Sequence, residues 1–242
     1  MSDLSQLREL VAQSCRILGK LNLTKEPSGH VSTRTPGENT ILIKARGPEE
    51  SGLRFVTARD IITVDFSGKK VAGDDGLDVP QEVFIHTWLY RTRPDVQCVV
   101  HVHPITVVLF TICNKPLQPL YGAYDPSGLR LLVDGLATYP RSITVSNEKL
   151  GEEFAQAMGN KQACLMRGHG ITSAGANVEE ATLTAIKLND AAMINYQANL
   201  LGTPQPIPQE DIDVMVGKSR GSSKSVHAGS NWRYYCKLLD EV

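Results

Sequence analysis

Two histidines stand two residues apart in the segment Val99-Val100-His101-Val102-His103-Pro104. This segment is rich in valine and alternates in polarity, which predicts a β-strand from Gln97 to His103. Because side chains two residues apart in a strand point to the same face, both imidazoles are expected to project side by side. Such a pair suits a divalent cation. The alternative is a pair of core or surface histidines without a metal.

A third histidine lies in Arg167-Gly168-His169-Gly170, directly after the apolar run Ala163–Met166. Two flanking glycines minimise backbone crowding, so His169 is expected to lean from a turn toward a neighbouring strand end. Three neutral imidazoles leave a coordination position open, which is typical of a catalytic metal site rather than a structural one. Alternatively, His169 is a solvated turn residue.

A carboxylate accompanies these histidines. Pro80 is expected to be the first residue of a helix that ends near Thr92. Glu82 then lies in the first turn of this helix. A carboxylate there is favoured by the helix dipole, so stabilisation of the helix end is the alternative to a catalytic role. His86, four residues on, lies on the same helix face as a neighbour of Glu82 or as an independent surface residue.

Two glycine-containing loops are candidates for anion binding. Arg46-Gly47 offers a guanidinium fork for a carboxylate or phosphate, and the alternative is an exposed charged loop. Ser28, Gly29 and His30 form either a backbone anion nest or a simple turn.

The elements that position these residues alternate irregularly between strands and helices. This favours a mainly antiparallel or mixed sheet flanked by helices over a doubly wound fold. Helices are predicted over residues 4–21, 80–92, 104–113, 148–158 and 177–201, and strands within 29–70, at 97–103, 131–133, 143–145, 163–166 and 171–173.

Composition excludes several classes of protein. The chain has 242 residues and a formal net charge of −1, without a basic stripe, so nucleic-acid binding is not expected. No apolar run is long enough to span a membrane, and the N-terminus does not resemble a secretory signal. The five cysteines are scattered without CxxC spacing, which favours a reduced, cytoplasmic protein. We expect one catalytic domain over residues 1–216 and a C-terminal tail over residues 217–242.

Together these motifs resemble the class II aldolase/adducin family. The resemblance rests on three segments in this order: Pro80-Gln81-Glu82; Tyr90-Arg91-Thr92-Arg93-Pro94-Asp95 running into the HxH pair; and the glycine-flanked His169. It implies an α/β/α sandwich around a central, mainly antiparallel sheet, and a homotetramer with active sites between subunits. It implies metal ligation by His101, His103 and His169, with Glu82 as general acid/base or extra ligand. It also implies that the tail packs on its own or a neighbouring subunit.

Departures from the family's sugar-phosphate aldolases narrow the expected substrate. His30 stands where those enzymes have Asn, Arg46-Gly47 replaces Ser-Gly, and Pro80-Gln81 replaces Ser-Ser, so most hydroxyl donors of the phosphate site are missing. The chain is more similar to the family's decarboxylases. That likeness implies a hydroxylated aromatic ortho-dicarboxylate, bound by Arg46, Gly47, Ser28, Gly29 and His30.

The decarboxylase resemblance points first to 3-hydroxy-2-methylpyridine-4,5-dicarboxylate of vitamin B6 (pyridoxine) degradation, with a dihydroxyphthalate as the near alternative. It implies Mn²⁺ as the metal, with Zn²⁺ also possible. Three other functions remain open: an aldolase that cleaves a sugar phosphate or hydroxy-ketone, a dehydratase or epimerase, and a non-catalytic, adducin-like interaction protein.

Overall fold

One mixed sheet runs through the computed structural model, which describes residues 4–121, 124–220 and 228–241. Eight strands are found in these ranges: β1 (His30–Arg34), β2 (Thr40–Lys44), β3 (Ile61–Asp65), β4 (Lys70–Ala72), β5 (Cys98–Val102), β6 (Ala137–Tyr139), β7 (Ala163–Met166) and β8 (Gly170–Gly175). Their order is β4-β3-β2-β1-β5-β8-β7-β6. Only the β6–β7 pair is parallel, so the prediction of a mainly antiparallel sheet is confirmed.

Helices cover both faces of the sheet. In the described part of the chain they are α1 (Leu4–Lys20), α2 (Val83–Thr92), α3 (Ile105–Ile112), α4 (Pro126–Val133), α5 (Glu148–Met158), α6 (Val178–Leu201), α7 (Gln209–Arg220) and α8 (Ala228–Leu238). One apolar core lies between the sheet and α1, α3 and α6, and a second lies between the sheet and α2 and α5. This arrangement is the expected α/β/α sandwich.

The central strand β5 separates the two cores. Val100 and Val102 belong to the core under α1 and α6, whereas Val99 belongs to the core under α2 and α5. The period of two places His101 on the face opposite Val100 and Val102, as the sequence predicts, and in the structure this face is the α2 side. In the ladder, His101 stands opposite His30 of β1 and Thr172 of β8.

Two predicted strands are wrong. The leucine-rich run 131–133 is the end of α4, a helix that opens with Pro126 in its first turn. Short apolar runs do not distinguish helix from strand by periodicity, and leucine is a good helix former. The run 143–145 is a loop in which the backbone N–H of Val145 donates to Glu82 instead of to a neighbouring strand. The missed strand, β6, lies between these two segments.

The predicted start of α2 is also displaced. Pro80 is not the first helical residue; a turn joins its carbonyl to Val83 N at 3.1 Å, and the helix begins at Val83. Glu82 consequently occupies the N-cap position rather than the first turn, and its side chain makes no capping hydrogen bond. The carboxylate is thereby free to point elsewhere.

Phe154 anchors α5 on the sheet. Its side chain is fully buried and meets the Tyr139 ring edge to face, with centroids 5.5 Å apart. We expect Phe154→Ala to lower the free energy of unfolding by about 3–5 kcal/mol through lost burial and a residual cavity. The exposed Gln156→Ala on the same helix is the matched control, with an expected change within about 0.5 kcal/mol. Urea unfolding measures both, and equal losses would contradict this packing.

The C-terminal segment returns to the core. Trp232 and Tyr235 of α8 are partly buried against the apolar cluster that includes α1 and α6 of the same chain. Helix α7 runs across residue 216, and residues 221–227 of the expected tail lie outside the described residues. Among the helices that are described, none combines the length and the apolar character that a membrane crossing requires.

Candidate metal centre

Four side chains from three parts of the fold converge at one end of β5. His101 is the penultimate residue of β5 and His103 follows that strand, His169 lies in the turn between β7 and β8, and Glu82 precedes α2. One potential ligand atom from each of these residues lies within 4.8 Å of the others. The structure thus brings together the four residues that the sequence nominates. His101 and Glu82 are buried, whereas His103 and His169 are partly exposed and leave the cluster open on their side.

Hydrogen bonds define the protonation of His101. Its Nδ1 lies 3.0 Å from the carbonyl oxygen of Ile171, which can only accept a hydrogen bond. Nδ1 therefore carries a proton, and in the neutral form of the ring the Nε2 atom bears a lone pair. The hydroxyl of Thr172, 3.3 Å from the same Nδ1, donates to Met166 Sδ and does not compete.

The same reasoning applies to His103. Ser28 Oγ donates to the carbonyl oxygen of Lys25 at 2.6 Å, so Thr24 Oγ1 donates to Ser28 Oγ at 2.7 Å. Both hydroxyl protons are then in use. His103 Nδ1, 3.3 Å from Thr24 Oγ1 and 3.4 Å from Ser28 Oγ, must be the donor. Its Nε2 is left with a lone pair as well.

These two lone pairs face each other. The Nε2 atoms of His101 and His103 lie 3.0 Å apart, without a proton to place between them. Burial, followed by the neighbouring His101 and His169, lowers the pKa of His103 to about 3, so a bridging proton is disfavoured at neutral pH. Two nitrogens bound to one metal at about 2.1 Å are separated by roughly 3.0–3.4 Å. The donor set therefore fits a divalent cation.

Glu82 completes the cluster. Its Oε1 accepts a hydrogen bond from Val145 N at 2.9 Å, and its Oε2 lies 3.3 Å from the Nε2 atoms of His101 and His169. Burial alone would raise the pKa of this carboxyl. Positive charge on the His101 and His169 side of Oε2, whether a proton on the rings or a cation between them, outweighs burial and holds the pKa well below its usual range. Glu82 is thus a carboxylate directed at the histidines, and helix capping is not its role.

Two glycines allow His169 to reach the cluster. Gly168 has φ of +59°, a left-handed conformation that disfavours a side chain. A Cβ at Gly170 would lie 2.8 Å from Cδ2 of the His103 ring, so only glycine fits beside that imidazole. His169 Nδ1 is buried and has no hydrogen-bond partner among the described residues.

The Ser28-Gly29 loop supports His103. Ser28 Oγ makes hydrogen bonds with the Lys25 carbonyl oxygen and with Thr24 Oγ1. Gly29 has φ of +82°, and a Cβ at this position would lie 3.1 Å from the His101 carbonyl oxygen. The loop therefore lies directly against the cluster. Thr24 was not singled out in the sequence, and no local motif marks it.

Arg46 lies at the same end of the strands as the four-residue cluster. It follows β2, whose C-terminal end adjoins the start of β1, where His30 pairs with His101. The guanidinium contacts Asp78 Oδ2 at 3.2 Å, and both side chains are about half or more exposed. Gly47 packs against Leu77, whose Cδ2 would lie 2.8 Å from a Cβ at this glycine. Among the described residues, the Arg46 side chain pairs with Asp78 and not with a member of the four-residue cluster.

A buried polar chain runs from the cluster into the α2 side of the core. His30 stacks on His101 with ring centroids 5.3 Å apart, and its Nδ1 lies 3.1 Å from His86 Nε2. His86 Nδ1 is 2.7 Å from Ser32 Oγ, which is 2.8 Å from the Tyr90 hydroxyl. His86 is fully buried, so the surface alternative for it is wrong. Its spacing of four from Glu82 was the available signal.

Neutral His86 makes stability depend on pH. Burial, followed by the nearby His101, lowers the pKa of His86 to about 3, below the ordinary histidine value. The unfolded chain therefore binds this proton first, so the stabilisation is complete above about pH 6.5 and is lost as the pH falls toward about 3. Between about pH 6 and pH 4 we expect metal-free wild type to lose about 1.4 kcal/mol per pH unit more than His86→Gln. Urea unfolding across this range tests it, and parallel slopes would contradict it.

This chain is similar to several known proteins. A family model described as the class II aldolase and adducin N-terminal domain matches residues 9–196. A 3,4-dihydroxyphthalate decarboxylase from Arthrobacter keyseri is 40% identical over 209 residues, covering 85% of this chain and 84% of that protein. A second 3,4-dihydroxyphthalate decarboxylase, from Terrabacter sp. (strain DBF63), is 37% identical over 230 residues and covers 94% of each chain.

A solved structure supports the fold. An aldolase II superfamily protein from Pseudomonas syringae superposes with a TM-score of 0.86 at 21% identity, over 99% of this chain and 94% of that one. The two curated relatives are carboxy-lyases, so this chain is an enzyme of the carbon–carbon lyase class. With the family model spanning the sheet and all four residues of the cluster, the chain belongs to the class II aldolase and adducin family.

Proposed function

We propose that this enzyme decarboxylates a hydroxylated aromatic ortho-dicarboxylate at a divalent-metal centre ligated by His101, His103 and His169. The observation that carries the proposal is the pair of Nε2 atoms on His101 and His103, which face each other at 3.0 Å while each Nδ1 has its own hydrogen-bond partner. The partial exposure of His103 and His169 supports access of a substrate to the cation from solvent. An open three-histidine site is typical of catalytic metals.

The proposed substrate is 3,4-dihydroxyphthalate in the first place. The two curated relatives named above carry this compound in their names, which supports a benzene ring. The 3-hydroxy-2-methylpyridine-4,5-dicarboxylate of vitamin B6 degradation is the second candidate, because it has the same ortho-carboxylates beside a ring hydroxyl.

The reaction exchanges a carboxylate for a proton. The bond between the ring and the leaving carboxylate breaks, carbon dioxide departs, and the electron pair stays on the substrate until a proton reaches the ring carbon. A divalent cation, when bound, stabilises that negative charge as a Lewis acid. Glu82, or a water that it holds, is proposed to deliver the proton. Its Oε1 is fixed by Val145 N, which keeps Oε2 directed into the site.

Arg46 is proposed to bind the carboxylate that the substrate retains. Its contact with Asp78 is solvent-exposed, and such ion pairs contribute about 0–1 kcal/mol. A bidentate carboxylate of the substrate competes well against so weak a partner. Gly47 beside it keeps the backbone close to the 76–78 loop. Ser28, Gly29 and His30 are proposed to line the same substrate site.

Mn²⁺ is the proposed metal, with Zn²⁺ as the alternative, since three imidazoles and a nearby carboxylate suit either ion. The proposed compartment is the cytoplasm, in keeping with five free cysteines.

The proposed assembly is a homotetramer with active sites between subunits, a catalytic domain over residues 1–216 and a packing tail over residues 217–242. A stripe of exposed apolar side chains on α3, immediately after His103, supports burial against another subunit. Its members Ile105, Leu109 and Ile112 are 64%, 38% and 54% exposed.

A mixed pool of substrates tests the proposed function. The metal-loaded enzyme is incubated with both aromatic dicarboxylates and with a ketose phosphate, and depletion of each compound is followed together with carbon dioxide release. We expect the dihydroxyphthalate to disappear with one equivalent of carbon dioxide. Depletion of the ketose phosphate alone would favour an aldolase and overturn the proposal.

A further inference from the structure

In the polar chain from His30 to Tyr90, only one order of donors and acceptors gives every buried hydroxyl proton an acceptor. Tyr90 is 2% exposed and Ser32 is fully buried, and each hydroxyl must donate its proton to an acceptor. Among the described residues, the hydroxyl of Tyr90 has Ser32 Oγ as its hydrogen-bond partner. Tyr90 therefore donates to Ser32, and Ser32 donates to His86 Nδ1.

The direction passes through His86 to His30. Because His86 Nδ1 accepts from Ser32, the proton of this neutral ring is on Nε2. His86 Nε2 then donates to His30 Nδ1 at 3.1 Å, and the proton of His30 is in turn on its own Nε2. Reversing the chain would leave the proton of Tyr90 or Ser32 buried without an acceptor, at a cost of about 1–3 kcal/mol.

His30 Nε2 is the free end of this chain. It has no hydrogen-bond partner among the residues that the structure describes, and the side chain stacks on His101 at the edge of the metal cluster. We propose that Tyr90, Ser32 and His86 are positioning residues that fix His30 as its Nε2–H tautomer, so that it offers a neutral N–H donor to a carboxylate oxygen of the substrate.

This inference rests on the proposed function for the chemical class of the ligand, an aromatic ortho-dicarboxylate. It adds direction to the site: an N–H donor binds an oxygen acceptor and rejects a second donor in the same place. The hydrogen-bonded residues from Tyr90 to His30 thereby favour a substrate carboxylate beside His30, and they do so without adding a buried positive charge to that of the cation.

Nitrogen NMR of histidine-labelled, zinc-loaded protein tests the tautomers, since Zn²⁺ is diamagnetic. In wild type we expect His30 and His86 to have protonated Nε2 and unprotonated Nδ1. Ser32→Ala removes the hydroxyl that donates to His86 Nδ1, so a second tautomer is expected in both the His86 and the His30 ring. Thr33→Val is the matched control, because it removes a buried hydroxyl from the opposite face of β1, where Thr33 Oγ1 donates to Gln97 O. It should leave both tautomers unchanged.

Phthalate serves as the probe ligand. It should shift the His30 Nε2–H resonance of wild type, and its Kd should rise about twofold or more in Ser32→Ala, where roughly half of the molecules present the donor. Bound zinc should stay at the wild-type level in Ser32→Ala and Thr33→Val, which separates positioning from a loss of the fold or the metal.

Three results would overturn the inference: a protonated His30 Nδ1 in wild type, tautomers in Ser32→Ala that match wild type, or phthalate that leaves His30 unperturbed. Failure of the proposed function is distinguishable from these. A protein with the expected tautomers and phthalate response that releases no carbon dioxide from either dicarboxylate would refute the reaction and leave the inference standing.

Discussion

Replacing His101 with alanine is expected to remove the bound metal and, with it, carbon dioxide release. His101 Nε2 faces His103 Nε2 at 3.0 Å and Glu82 Oε2 at 3.3 Å, so it lies at the centre of the donor set. Changing groups that merely support a ligand already costs about 10–100-fold in metal affinity, and loss of a ligand costs more. Elemental analysis after dialysis against a weak chelator measures the effect.

Because His101 is fully buried, its replacement also leaves a cavity. His103→Ala, at a partly exposed position, should show the same loss of metal with less loss of stability. His86→Gln is the matched control: it removes a buried histidine outside the four-residue cluster and should keep the metal. Equal metal in all four proteins would refute the site.

Glu82→Gln is expected to lower kcat by about 10²–10⁴-fold while metal content stays near the wild-type level. Glutamine keeps an oxygen for Val145 N, so the side chain stays in place, but it carries no transferable proton. The depressed pKa of Glu82 means that it enters the cycle as a carboxylate and must gain the proton before delivering it.

The two roles considered for Glu82 predict different losses. A proton carrier that is removed lowers kcat with little change in metal affinity, whereas a lost ligand lowers metal content in parallel with activity. Metal titration of Glu82→Gln alongside its steady-state kinetics separates them. Loss of metal in proportion to activity would assign Glu82 to the metal rather than to the proton.

Much of the site was predictable because its geometry follows from short-range rules. The period of two in β5 places His101 on the side opposite Val100, and glycines on either side of His169 predict its turn. Relations between distant segments were not predictable. Thr24 supports His103 across 79 positions of sequence, and Val145 donates to Glu82 across 63.

The errors have the same origin. Residues 143–145 are rich in β-branched side chains, yet Val145 uses its N–H on a carboxylate brought by another element, so no strand pairs there. The spacing of His86 from Glu82 left its burial undecided, because its partners His30 and Ser32 become neighbours only when β1 packs under α2. Tertiary partners decided these positions, and local propensity did not.

Carbon dioxide release from carboxyl-labelled 3,4-dihydroxyphthalate, measured before metal removal, after it, and after Mn²⁺ is restored, tests the central claim most directly. The proposed centre predicts release by the loaded enzyme, its loss on chelation, and recovery with Mn²⁺ in wild type but not in His101→Ala. Undiminished release by the chelated wild-type enzyme would contradict the claim that the histidine cluster acts through a metal.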